Sequence, residues 1–261
     1  MLIELDQKKL KLKHKLKMNI HSPKNDIGVS NFLSKNNIWE PFETSIFLKL
    51  ISKKKFFLDI GANLGYYSII ASKLISKLGK VVAIEPERSN LELLHQNLDM
   101  NNTLNVDVIE KACSDKSHAS FLKLSKDNLG DHRLSNKKNK DSKNVEVKTT
   151  TVDSIINEYG LIPDIVKIDT QGAELKIIKG MKNLLHNSNL KTIFFMEFWP
   201  DGLFEQGDKI TELIEYISLK SFVIFALFEE NGLLVKVKKQ DFCIFVSLQK
   251  KRFSCSDSSD F

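Results

Sequence analysis

An acid, an amide and two glycines stand at fixed spacing in Asp59-Ile60-Gly61-Ala62-Asn63-Leu64-Gly65. A glycine turn lets backbone approach a ligand closely, and Asp59 and Asn63 place polar side chains beside it. The dinucleotide fingerprint G-x-G-x-x-G, counted from Gly61, needs glycine where Asn63 and Tyr66 stand. A pyrophosphate would meet side chains where it needs bare backbone. The spacing therefore disfavours a nicotinamide oxidoreductase. Taken alone, the segment also reads as a turn that merely joins a strand to a helix.

A second acid adds to the first. Val81-Val82-Ala83-Ile84-Glu85-Pro86 is an apolar run ending in Glu85, about one strand–helix unit after Asp59. A carboxylate at a strand tip can accept from both hydroxyls of a ribose. D-x-G-x-N-x-G followed by this acid looks like the first motif of S-adenosylmethionine-dependent methyltransferases. That donor carries no phosphate and needs polar groups around its amino-acid end.

These residues need elements to hold them. Phe56–Ile60 reads as a buried strand, and the apolar spacing after Gly65 predicts a helix over 66–78. Strands are expected at 81–85, 105–110, 118–124, 145–150, 164–169 and 192–197. Helices are expected from Ser89 to Met100, over 173–186 and over 208–219. Pro41 suits a helix start. Phe222–Phe228 and Leu233–Lys238 flank Asn231-Gly232, a hairpin signal, and Phe242–Leu248 is a further apolar run. Together these imply an α/β doubly wound sheet with a reversed, antiparallel edge strand.

The 261 residues are 42% apolar and 28% charged, enough for one core. No apolar run reaches the ~18 residues of a membrane span. The first residues lack the pattern of a secretory signal. Cys113, Cys243 and Cys255 are too scattered for a disulfide framework or a metal knuckle, which fits a reducing cytoplasm. Most of the +6 net charge comes from residues 1–24, where seven lysines face two acids. A smaller lysine patch is Lys137, Lys138, Lys140 and Lys143. No nucleic-acid motif accompanies either patch. The division is a basic extension over 1–24, a catalytic domain over 25–249 and a disordered tail over 250–261.

The chain resembles the FkbM-type methyltransferases. The resemblance is carried by Trp39-Glu40-Pro41, the Asp59–Ser68 motif, Glu85-Pro86, Asn97 with Asn101, and Gly130-Asp131-His132-Arg133. Val152-Asp153 and Ile168-Asp169-Thr170-Gln171-Gly172-Ala173-Glu174 complete it. It implies a Rossmann-like class I methyltransferase fold with a seven-stranded, mostly parallel doubly wound α/β sheet and an antiparallel edge strand, S-adenosylmethionine as donor, and methylation of a hydroxyl on a sugar, glycan or other small molecule. One departure stands out: the family's Asp-x-Glu-Gly-x-Glu carries Gln171 in place of the first Glu. On this resemblance Asp59, Gly61, Asn63, Gly65, Glu85, Ala112 and Asp169 would meet the donor. His132 and Asp169 would stand at the reacting centre, His132 as base because histidine titrates near neutrality. Glu197 is a further candidate for substrate contact. No metal is expected with Gln171 between Asp169 and Glu174. The alternative function is a catalytically silent donor-binding domain, brought to a membrane or polyanion by its basic N-terminus.

Overall fold

The computed structural model describes residues 1–135, 143–187, 190–218, 222–238 and 242–248. Lys137, Lys138 and Lys140 and the tail over 250–261 lie outside the described residues. The main sheet has eight strands, where seven were expected. From one edge the order is Leu233–Lys238, Phe222–Phe228, Phe242–Leu248, Ile193–Phe198, Ile165–Ile168, Phe56–Ile60, Lys80–Ile84 and Val106–Ile109. All neighbours pair in parallel except Leu233–Lys238, which runs antiparallel to Phe222–Phe228.

Strand alternation sorts the core onto two faces. Phe57, Val81, Ala83, Ile165 and Phe195 point to one cluster, with the helices Pro41–Ile51, Tyr66–Leu74 and Arg88–Met100. Phe56, Leu58, Ile60, Val82, Ile84, Val166 and Ile168 point to the other, with Glu174–Lys179, Lys182–His186 and Ile210–Ser218. The expected helix over 173–186 is thus two short helices. They part at Gly180, where a Cβ would sit 2.1 Å from the Ser114 carbonyl oxygen. The helix expected over 66–78 ends at Leu74. The helix expected from Ser89 begins at Arg88, and Glu87 caps it by accepting from the Asn90 N–H.

Between the third strand and Ile165–Ile168 the chain builds a second, four-stranded sheet. It joins Ala112–Cys113, Asn144–Thr150, Ala119–Lys123 and Arg133–Ser135. Phe56–Ile60 thus has its sequence successor on one side and Ile165–Ile168 on the other. This reversal of strand order opens a crevice at the carboxyl ends of the strands, the usual ligand position in such sheets.

The first twenty residues do not form a separable extension. Leu2–Glu4 pairs antiparallel with Lys17–Asn19. Leu5, Leu10, Leu12, Leu16, Met18 and Ile20 are buried in the same cluster as Phe57 and Ile70. The alternation of lysine and leucine is the reason: Leu10, Leu12 and Leu16 face inward while the lysines between and beside them face outward. Asn97 and Asn101 lock this strap by bonding the backbone of Asn19 and Lys17 in both directions, as donor and acceptor.

Candidate active site

A cavity of about 250 Å³ lies at the strand ends. Asp59, Gly61, Asn63, Glu85, Ala112, His132 and Asp169 all line it. Gly65 does not. It caps the Tyr66–Leu74 helix at φ 86°, and a Cβ there would meet Leu94 Cδ1 at 2.4 Å. Its glycine serves helix packing and not ligand approach. Gly61 also has a second task. At φ 82°, a Cβ would stand 1.9 Å from the Asp169 carbonyl oxygen. The absent side chain leaves room for the neighbouring strand as well as for the cavity.

Glu85 is pre-oriented. Its Oε2 accepts from the Asn63 N–H at 2.9 Å and its Oε1 from the Glu87 N–H at 2.9 Å. One lone pair on each oxygen stays available. Burial pushes this carboxyl up to about 7, against the pull of those two N–H groups. Asp59 accepts from Ser68 Oγ at 2.6 Å, and burial raises it to about 6. Ala112 and Cys113 give the cavity a small apolar ledge.

Lys167 is the residue that sequence reasoning missed. It sits inside the apolar strand Ile165–Ile168 with its side chain 5% exposed. Its Nζ donates to Asp169 Oδ2 at 2.7 Å, stands 3.6 Å from Glu43 Oε1 and lies over the Tyr67 ring. A lysine within a parallel strand that is otherwise wholly apolar was the available signal. Burial works against charge on both partners. Their mutual attraction prevails, so Asp169 stays below the usual carboxylate range and Lys167 above the usual ammonium range.

Gln171, held left-handed at φ 53°, donates to Glu197 Oε2 at 2.6 Å and to Asp169 Oδ1 at 3.3 Å. Its amide therefore bridges two carboxyl groups that would repel each other. Glu197 is buried, absent from the cavity lining, and raised well above its ordinary value by burial and by Asp169. Glu174 turns back to accept from the Gly172 N–H at 2.9 Å, and burial raises it to about 7. Among the described residues no group of three or more His, Cys, Asp and Glu is arranged to hold a metal ion.

His132 lines the cavity, but its Nδ1 accepts from the Ser125 N–H at 3.1 Å. Burial lowers its pKa. The neutral ring then carries its hydrogen on Nε2. In this arrangement it has no free lone pair with which to take a proton, so it offers a donor and not a base. The loop that carries it is clamped. Asp26 accepts from the N–H groups of Ser30 and Leu129, and Asn90 Nδ2 donates to the Leu129 carbonyl. Arg133 forks onto both Asp131 oxygens at 2.8 and 2.7 Å, bonds Glu205, and stacks 4.1 Å over Trp199.

Glu40 also lines the cavity, in a left-handed conformation (φ 37°, ψ 72°). Such a backbone costs a non-glycine residue about 1–3 kcal/mol. It is pinned from both sides. The Thr44 N–H bonds the Glu40 carbonyl, Thr44 Oγ1 bonds the Trp39 carbonyl, and Pro41 fixes the next φ. Beyond it, the Glu229 carboxylate accepts from the Phe42 and Glu43 N–H groups at 2.9 and 2.8 Å.

The strand order and this cavity define a doubly wound α/β protein with a ligand-sized cavity at its switch point. The methyltransferase FkbM domain matches residues 59–224, and the chain belongs to that family. It is 28% identical over 133 residues to the hexuronic acid methyltransferase AglP of Haloferax volcanii. That match covers 50% of this chain and 52% of AglP, so it spans about half of that protein's length. Among solved structures, it is similar to methyltransferase FkbM from Methylobacillus flagellatus: 21% identity, TM-score 0.35, 51% of this chain and 30% of that one. It is also similar to a precorrin-6y C5,15-methyltransferase from Geobacter metallireducens: 18% identity, TM-score 0.40, 67% and 68% covered.

Proposed function

We propose that the protein is an S-adenosylmethionine-dependent methyltransferase acting on a hydroxyl of a sugar, glycan or other small molecule. The observation that carries this is the pre-oriented Glu85 carboxylate facing a cavity whose turn has side chains where a pyrophosphate would need glycine. The donor set fits the cofactor. Glu85 would accept from the ribose hydroxyls, Asp59 and Asn63 would meet the amino-acid end, and Ala112 with Cys113 would flank adenine. Bound there, the cofactor supplies a methyl group already activated on a sulfonium.

The remaining work belongs to the protein: to hold an acceptor oxygen in line and to exclude water. The Lys167–Asp169 pair keeps a fixed dipole at the strand tip, and His132 Nε2–H would bond an acceptor oxygen. A hexuronic acid or related sugar is the acceptor class that the name of AglP suggests.

Calorimetry tests the donor. S-adenosylhomocysteine should bind at micromolar level or tighter, and tighter binding of NADH would reject the assignment. Incubation with labelled donor and a panel of glycans, nucleotide sugars and lipid-linked sugars, read by mass, tests the acceptor. The silent-domain reading survives only if the donor binds and no label moves.

A further inference from the structure

One carboxyl group of the cavity remains without a task. We propose that Glu40 is the general base of this site, taking the proton of the acceptor hydroxyl as the methyl group is transferred. The assignment rests on the methyl-transfer reading above.

Geometry separates Glu40 from its rivals. Asp59 is engaged by Ser68, Glu85 by two backbone N–H groups, and Asp169 by Lys167 and Gln171. His132 has its only lone pair occupied in the neutral form. Among the described residues, no N–H or O–H group bonds the Glu40 carboxylate. It is half-buried, lines the cavity, and is fixed in an unfavourable backbone conformation by its neighbours on both sides. A general base needs a free lone pair within reach of the proton, and Glu40 is the cavity carboxylate that keeps both oxygens free.

The surroundings raise its proton affinity. Burial is the largest cause, and Glu43, Asp169 and Glu229 act in the same direction, while the Lys167 ammonium opposes them. Tyr66 and Tyr67 face it from the adjoining helix, and Glu197 from the neighbouring strand. A carboxylate so placed is a stronger base once ionised, so transfer should rise with pH as Glu40 loses its proton.

The step balances. The acceptor O–H bond breaks and its proton goes to a Glu40 oxygen. The pair left on the acceptor oxygen forms the new O–CH3 bond, and the pair of the broken S–CH3 bond stays on sulfur. One positive and one negative charge disappear together. The Glu40 carboxylic acid then returns its proton to water.

The test compares wild type with Glu40→Gln and Glu40→Asp. Both variants should bind S-adenosylhomocysteine within about threefold of wild type by calorimetry. In protein labelled with 13C at glutamate Cδ, a resonance titrating above the ordinary glutamate range, beside those of Glu85, Glu174 and Glu197, should vanish in Glu40→Gln. With the acceptor found by the label screen, Glu40→Gln should lose about 10²-fold or more in kcat with little change in KM. Glu40→Asp should retain part of the rate and the rise with pH. A Glu40 resonance titrating in the ordinary range, or near-normal turnover in Glu40→Gln, overturns the assignment alone. Failure of wild type to bind S-adenosylhomocysteine overturns the methyl-transfer reading, and this assignment with it.

Discussion

Single side chains here are tuned by what they touch. Glu85 owes its orientation to two backbone N–H groups, so its loss should remove ligand contacts with little collapse of the turn. Glu85→Ala is expected to weaken S-adenosylhomocysteine binding by ~1–3 kcal/mol, the scale of hydrogen bonds to a charged group; calorimetry reads this directly. Gln171 makes a different case. Gln171→Glu would set a third carboxylate between Asp169 and Glu197. The variant should be less stable at pH 8 than at pH 5 relative to wild type, because the added repulsion needs ionised groups. Urea midpoints at the two pH values check it, and an equal difference at both would show that repulsion is not the cause. Lys167 shows the limit of sequence reading. Its place in an apolar strand was visible, but its partner Glu43 lies 124 positions away and no local pattern joins them. Glu85 was legible because a strand and its terminal acid are local. The task of His132 was not, because it depends on the N–H of Ser125.

Elements were read well where periodicity decides and poorly where packing does. The strands Phe56–Ile60 and Lys80–Ile84 match their apolar runs, since a parallel strand is buried on both faces. The break at Gly180 escaped because it answers to the close approach of Ser114, and nothing local requires it. The Pro41–Ile51 helix was expected from its proline, yet its cap comes from Glu229, far along the chain. Removing that cap leaves two helix N–H groups without their acceptor. Glu229→Ala should cost about 0.5–2 kcal/mol by urea unfolding, as for other lost caps. An unchanged midpoint would mean that water replaces the carboxylate at no cost.

At the scale of the molecule, three buried acids set an unusual pH trend. Asp59 is raised to about 6, and Glu85 and Glu174 to about 7. The folded protein therefore binds more protons than the unfolded chain between pH 4 and 7. Their contribution to stability is fully present below the unfolded values and is lost as pH rises through the folded ones. The ligand-free protein should show urea midpoints that fall from pH 5 to pH 8, and Glu174→Gln should flatten the slope. A rising midpoint over that window would mean that these acids ionise normally. The N-terminal strap also belongs to this scale. Seven apolar side chains of residues 1–20 are buried in the main core, each worth about 1.5–3 kcal/mol. Their sum rivals the whole stability of a domain, about 5–15 kcal/mol. Deleting residues 1–22 should abolish cooperative unfolding or lower the melting temperature steeply, as calorimetric scans would show. A truncated protein melting like the full chain would restore the view of a separable extension. The lysine count drew attention to charge, although the leucines between the lysines carried the structure.

The clamp of Glu229 on Phe42 and Glu43 has a temporal side. The helix it holds begins right after Glu40, while the clamp itself lies beyond residue 224, where the family match ends. During synthesis every cavity-lining residue through Trp199 is made before the carboxylate that steadies Glu40. A nascent chain stopped at the family boundary would hold the cavity walls with Glu40 unsecured. Competence for chemistry would therefore arrive late in translation, with the closing hairpin acting as its latch.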